Sequence, residues 1–152
     1  MMTQSKRMLE TGACFGYSTC CMAMAVEGLG EGKVTTIDPD PQPKLWDNLD
    51  LKKHIDWIQK YSQDTLPDLE GEQFDLMLLD SDHAYETIDW EVTNLEPFLK
   101  PGGYMLLHDS DICEGVTRKC EELKEDSRFE YINFNTPRKC GLFVMRKKES
   151  SE

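Results

Sequence analysis

Between Arg7 and Asp38 the chain sets a strand, a glycine turn, a helix and a second strand in direct succession, and this unit constrains the fold more than any other feature. Arg7–Thr11 and Lys33–Ile37 are short runs of strand-forming character. Residues 17–27 carry small and sulfur-containing side chains in a helical pattern, and Gly12-Ala13-Cys14-Phe15-Gly16 stands between strand and helix. Two strands joined by a helical crossover lie parallel. A parallel sheet needs cover on both faces, so the rest of the sequence has to supply further strands and helices in layers.

It does. Phe74–Leu79, FDLMLL, is a nearly continuous apolar run, the pattern of a strand buried on both faces. Tyr85, Ile88, Val92, Leu95 and Leu99 recur at three- and four-residue intervals and predict a helix over 85–99 with one apolar stripe. Pro101-Gly102-Gly103 reads as a turn before a strand over 104–107, and Ile112, Val116, Cys120 and Leu123 repeat at helical spacing. Residues 44–54 read as a helix, and part of 55–61 as a weak strand. Phe129–Phe134 and residues 141–145 are joined through Asn135 to Lys139, a connection short enough only for an antiparallel hairpin. The expected architecture is α/β: a Rossmann-like three-layer αβα sandwich on a mostly parallel seven-stranded sheet, with one antiparallel strand near the edge. One domain is expected over residues 1–147, with a charged, disordered tail over 148–152.

Charge narrows the partners. With 29 acidic against 17 basic residues the net charge is -12, which opposes any sequence-independent hold on nucleic acid or an anionic membrane. A local basic patch is left around Arg138 and Lys139. The opening residues lack the unbroken apolar segment of a signal peptide, and no stretch is apolar enough for a membrane span. The six cysteines form no C-x-x-C pair and have no zinc-like spacing to histidine, so free thiols in a reducing cytoplasm are the plainer expectation.

In open α/β sheets a ligand lies beyond the carboxyl ends of the strands, where backbone must come close to it. Gly12 and Gly16 suit that approach, and Asp38, ending the second strand, is placed to accept the hydroxyls of a ribose. A dinucleotide fingerprint would need G-x-G-x-x-G; here Glu10, Gly12, Cys14 and Gly16 alternate with other residues. The missing glycines argue against NAD, and an acid at Glu10 would repel a pyrophosphate.

LETGACFGYST resembles the first motif of the class I S-adenosylmethionine-dependent methyltransferases, acid-x-Gly-x-Gly-x-Gly, with Cys14 replacing the middle glycine. VTTIDPDP is similar to their ribose-binding motif, FDLMLLDSDHAYE to the fourth-strand motif and LKPGGYMLLHD to the fifth. The tightest likeness is to the small-molecule O-methyltransferase branch that includes macrocin O-methyltransferase-type and cephalosporin hydroxylase-type proteins. The resemblance implies S-adenosylmethionine contacts from Glu10, Gly12, Ala13, Gly16, Tyr17 and Ser18, then Asp38 and Pro39. Ser62, Gln63 and Asp64 would meet the adenine, or else form a surface loop, and Asp80 and His83 would complete the pocket. Tyr17 is equally open to a core role.

Asp80 and Asp109 end neighbouring parallel strands, and two carboxylates there repel unless a proton or cation lies between them. A hard divalent ion, magnesium, is the natural resolution. By resemblance to metal-dependent O-methyltransferases the ligands are Asp80, Asp109 and Ser110, with Asp111 the alternative third. His83 reads either as a general base, catalytic together with Asp80, or as a cap on the following helix. His108 reads as a packed histidine, and Trp46, Trp57 and Trp90 as packing residues. The implied activity is methyl transfer to a hydroxyl of a small molecule, with metal assistance. A non-catalytic or partner-dependent cofactor-binding protein and a cephalosporin hydroxylase-like oxidoreductase are the alternatives. Related enzymes carry helices before the first strand, so the expectation is either a minimal or truncated version, or cover of the substrate site by a second copy, a partner subunit or the acceptor itself.

Overall fold

The computed structural model of the protein describes residues 4–135 and 140–149. In chain order the main elements are β1 (Arg7–Thr11), α1 (Tyr17–Leu29), β2 (Lys33–Ile37), β3 (Ile55–Ile58), β4 (Phe74–Leu79), α2 (Tyr85–Leu95), β5 (Leu99–His108), α3 (Glu114–Lys124), β6 (Phe129–Phe134) and β7 (Leu142–Lys147). Among the described residues they build one seven-stranded sheet in the order β3-β2-β1-β4-β5-β7-β6. All neighbours pair in parallel except at β7, which runs antiparallel to β5 and β6 and lies one strand in from the edge. The expected Rossmann-like sandwich, with its single reversed strand, is the fold observed.

Strand alternation divides the core in two. Leu9, Met77, Leu79, Met105, Leu107, Phe143 and Met145 point to one face, where Ile88, Val92 and Leu95 of α2 and Val116, Cys120 and Leu123 of α3 close over them. Met8, Val34 and Ile55 point to the other, under Ala23 and Val26 of α1 and the fully buried Trp46. On that second face the paired row Leu78, Leu106 and Val144 is only half-buried and Ile132 is exposed. No disulfide joins the cysteines among the described residues, and no described helix is long and apolar enough to cross a membrane.

Several local expectations are corrected. The helix over 44–54 is instead two 3-10 turns, Leu45–Asn48 and Asp50–His54, separated by Leu49 in an extended conformation. Tertiary anchors decide this: Trp46 is drawn into the core, and the Asp47 carboxylate accepts the Lys44 amide at 2.9 Å. The helix expected to reach Leu99 stops at Leu95, because Pro97 brings no amide proton to continue it. Leu99 opens β5, and Pro101-Gly102-Gly103 is a bulge inside that strand, where pairing shifts from Phe74–Leu99 to Leu76–Tyr104. Ile112 precedes α3 and is exposed rather than on its buried stripe. At the chain's end β7 runs through Lys147, and the Lys148 amide donates to the Arg128 carbonyl.

Candidate active site

The sheet order reverses between β1 and β4, and the crevice such a reversal creates holds a cleft of about 370 Å³ at the strands' carboxyl ends. A second cavity, of about 440 Å³ between Lys100 and Arg146, lies against the bulge that begins β5, at the opposite end of the sheet.

The glycine turn forms one wall. Gly12, Cys14 and Gly16 all have φ between +48° and +87°, the left-handed region where only glycine is free of strain. A Cβ on Gly12 would run into the Asp80 carbonyl, so the bare backbone here lets the turn close against the end of β4. A Cβ on Gly16 would collide with the Trp46 ring, and the residue stands outside the cleft lining. Ala13 is buried in the same cluster, while Tyr17, first residue of α1, is 75% exposed and turned to solvent.

Glu10 is likewise not a cleft residue. Alternation along β1 sends Thr11 toward α2 and Glu10 under the first turn of α1, where it is fully buried. One carboxylate oxygen accepts from Thr19 and Thr36, the other has no partner of normal hydrogen-bond geometry. Burial raises its pKa, opposed by the hydroxyls of Ser18, Thr19 and Thr36. Ser18 therefore also faces Glu10.

Asp38 is where the sequence places it. It lines the cleft, 5% exposed, and its two oxygens accept the Cys14 amide at 2.6 Å and the Asp40 amide at 2.8 Å. The buried Lys44 ammonium stands 3.5 Å away and also donates to the Cys14 carbonyl. Asp38 thus ties the glycine turn to β2 while facing the cleft. Pro39, Ser62 and Gln63 line the same wall. Asp64 does not, since successive side chains in the 3-10 turn Ser62–Asp64 point a third of a turn apart and Asp64 faces water.

Glu91, on α2, was not singled out from the sequence. It is fully buried at the cleft floor, accepting from Thr11 at 3.0 Å and Ser81 at 2.7 Å, and burial raises its pKa. Its signal was available: it falls three residues after Ile88 and four before Leu95, on the stripe that should be apolar.

Beyond β4 and β5, four side chains converge. His83 Nε2 lies 3.4 Å from an oxygen of each of Asp80 and Asp109, and His108 Nδ1 lies 3.3 Å from an oxygen of each. One donor atom from each of the four fits within 4.8 Å of the others. Both nitrogens are shielded from solvent and lack a hydrogen-bond partner. Burial raises the Asp80 carboxyl's pKa; His108 and His83 oppose this and Asp109 reinforces it. Asp80 also lines the cleft, whereas His83 does not.

Three expectations change here. The N-cap of α2 is Ala84, with no side-chain cap hydrogen bond, while Asp82 accepts from the Ala84 amide and the Thr87 hydroxyl, so His83 is no cap. His108 turns its ring to the carboxylates and is not packed in the core. Ser110 is turned away, donating to Asn133 at 3.0 Å, and the Asp111 carboxylate accepts from the same asparagine. Magnesium takes oxygen donors in a near-octahedral shell; with Ser110 absent and two imidazoles present, these residues do not fit it.

A family model described as a methyltransferase domain matches residues 9–110. Among solved structures, the O-methyltransferase TomG from Streptomyces achromogenes, involved in tomaymycin synthesis and complexed with S-adenosylmethionine, matches at 19% identity and TM-score 0.79 over 96% of this chain and 74% of its own. An O-methyltransferase from Bacillus cereus with S-adenosylhomocysteine matches at 17% and 0.75, over 95% of this chain and 75% of its own. The fibrillarin pre-rRNA processing protein of Methanococcus jannaschii shares the fold at 18% and 0.74, over 99% and 69%. With the family match spanning the glycine turn, β2 and both acidic strand ends, the chain belongs to the methyltransferase domain family and carries the class I S-adenosylmethionine-dependent methyltransferase fold.

Proposed function

We propose that the chain transfers a methyl group from S-adenosylmethionine to a hydroxyl of a small, oxygen-rich acceptor such as a sugar or a polyketide. The observation that carries this reading is that Asp80 belongs both to the cleft wall and to the histidine–carboxylate cluster. A nucleoside lying along the cleft ends beside groups able to handle an acceptor's proton. The Streptomyces and Bacillus relatives, both O-methyltransferases, support oxygen as the accepting atom.

Placement supports each role. Every carboxylate oxygen of Asp38 keeps a lone pair beyond the amide it already accepts, available to the ribose hydroxyls. Gly12 and Cys14 present backbone to the methionine end, and Ser62 and Gln63 stand where the adenine would lie. In the reaction the acceptor oxygen bonds the methyl carbon as the sulfur–carbon bond breaks, its electron pair passing to sulfur. The sulfonium is already an activated leaving group, so alignment does most of the work, up to about 7–11 kcal/mol in model systems. Asp80, at the end of the cleft, holds the hydroxyl, and the proton it loses passes to the Asp80–His83 pair, a contribution of roughly 10²–10⁴-fold.

One observation favours a second reading. Two histidines and a carboxylate are also the donors of non-haem iron oxygenases, which fits the cephalosporin hydroxylase-like alternative; iron retained on purification and acceptor-dependent oxygen uptake would support it. The test of the main reading is S-adenosylhomocysteine release with a panel of sugars and polyketides. Acceptor-dependent release, at least ~100-fold slower in Asp80→Asn, is expected. Bound S-adenosylmethionine with no release for any acceptor would instead mark a cofactor-binding protein without turnover.

A further inference from the structure

We propose that Lys44 is a positioning residue for the cofactor cleft: together with Asp38 it clamps the backbone of Cys14 and so holds the glycine turn in its binding shape. This deepens the methyltransferase reading and rests on it for the identity of the ligand.

Cys14 is the one residue of the turn with a side chain in the left-handed region, at φ 48°, a conformation that glycine adopts freely and cysteine only under constraint. Both of its backbone groups are held. The amide donates to Asp38 Oδ2 at 2.6 Å, and the carbonyl accepts from Lys44 Nζ at 2.5 Å. Lys44 Nζ stands in turn 3.5 Å from Asp38 Oδ1. The ion pair therefore closes a ring through the strained residue.

The Lys44 side chain is fully buried, and an ammonium leaves water only where charge and hydrogen bonds compensate it. Its compensation is Asp38, the Cys14 carbonyl and the Trp57 ring, 5.0 Å from Nζ to the centroid. Trp57 holds the same wall from behind, its Nε1 donating to the Asp38 carbonyl at 3.0 Å. Lys44 itself does not line the cleft, whereas Cys14 and Asp38 do. Its influence on a ligand therefore runs through those two residues.

The surrounding segment is matched to the turn residue by residue. Lys44 meets the Cys14 carbonyl, the Leu45 amide donates to the Phe15 carbonyl at 2.9 Å, and the Trp46 ring lies where a Cβ on Gly16 would stand. The Asp47 carboxylate fixes the base of the lysine by accepting its amide at 2.9 Å. With one Asp38 oxygen on the Cys14 amide and the other on the Asp40 amide, the carboxylate keeps one orientation toward the ribose hydroxyls.

The test compares the full chain with Lys44→Met, close in length but uncharged, after circular dichroism has shown it folded. S-adenosylhomocysteine should bind the variant ~10–100-fold more weakly, as loss of a charged hydrogen bond implies. The 2′-deoxy analogue should lose less, so that the preference for ribose shrinks; equal losses would mark general loosening and overturn the positioning role. Cys14→Gly should regain at least ~5-fold in the Lys44→Met chain, the low end of the left-handed penalty, and less in the parent. An equal gain in both overturns the link to Cys14. Hydrogen exchange on the cofactor-free chains reads the clamp alone: the Cys14 amide should exchange at least ~10-fold faster in Lys44→Met while β1 and β2 keep their protection. Unchanged exchange at Cys14 overturns the clamp. Should Lys44→Met fail to fold, NMR of the parent decides: a slowly exchanging Lys44 ammonium in contact with the Trp57 ring supports the clamp, and a rapidly exchanging one overturns it. A variant that binds S-adenosylhomocysteine as tightly as its parent refutes this inference alone. Faster Cys14 exchange in the variant of a parent that binds no S-adenosylhomocysteine supports the clamp and refutes the methyltransferase reading.

Discussion

Glu91 places an acid where an aliphatic side chain would normally pack, and its protonation is tied to stability. Burial raises its carboxyl above the ordinary 4.5, with the hydroxyls of Ser81, Ser62 and Thr11 opposing. Between 4.5 and that raised value the native state keeps a proton the unfolded chain has lost. The stabilisation is therefore complete below the unfolded pKa and is lost as pH rises through the native one. Glu10 works in the same direction. Denaturant unfolding at about pH 5 and about pH 8 should show a smaller loss of stability between the two for Glu91→Gln than for the unaltered chain; an equal loss would contradict a buried, protonated Glu91. At this scale Gly12, Asp38, Asp80 and Asp109 were legible because each stands at a strand end, where the turn or carboxylate has one place to go. The burial of Glu10 and the packing of Gly16 against Trp46 are not legible in the sequence, because motif likeness says which residues recur but not which face a strand or turn presents. His108 was missed because a lone histidine at a strand end carries no partner in the sequence.

Elements read well where one force dominated. Phe74–Leu79 is a strand because a nearly continuous apolar run of that length is buried in the sheet's middle, and Lys33–Ile37 because Val34, Thr35, Thr36 and Ile37 are all β-branched. Residues 44–54 misled because their helical periodicity was local while the deciding contacts were distant: Trp46 against Gly16, and Lys44 against Asp38 and the Cys14 carbonyl. Trp46 is the pin of that segment, 2% exposed and packed edge-on to Trp57. Trp46→Ala should cost about 3–5 kcal/mol in denaturant unfolding and weaken cofactor binding by loosening the wall that Lys44 and Asp38 share. A cost below about 1 kcal/mol would mean that the 3-10 segment is held from elsewhere.

For the molecule as a whole, the fold leaves the substrate class open, since a pre-rRNA processing protein shares it. Charge discriminates: at -12 the chain should show no measurable retention of single- or double-stranded RNA near ~150 mM salt, and salt-dependent RNA binding would contradict a small-molecule acceptor. Arg138 and Lys139, the one basic patch noted in the sequence, lie outside the described residues. The central claim is that the cleft between the glycine turn and Asp38 holds S-adenosylmethionine, and calorimetric titration of the full chain tests it most directly. The account expects one cofactor per chain and, for a folded Asp38→Ala variant, binding weaker by on the order of 10–100-fold, as loss of charged hydrogen bonds implies. A folded chain that binds neither S-adenosylmethionine nor S-adenosylhomocysteine, or an Asp38→Ala variant that binds as tightly as the parent, would contradict it.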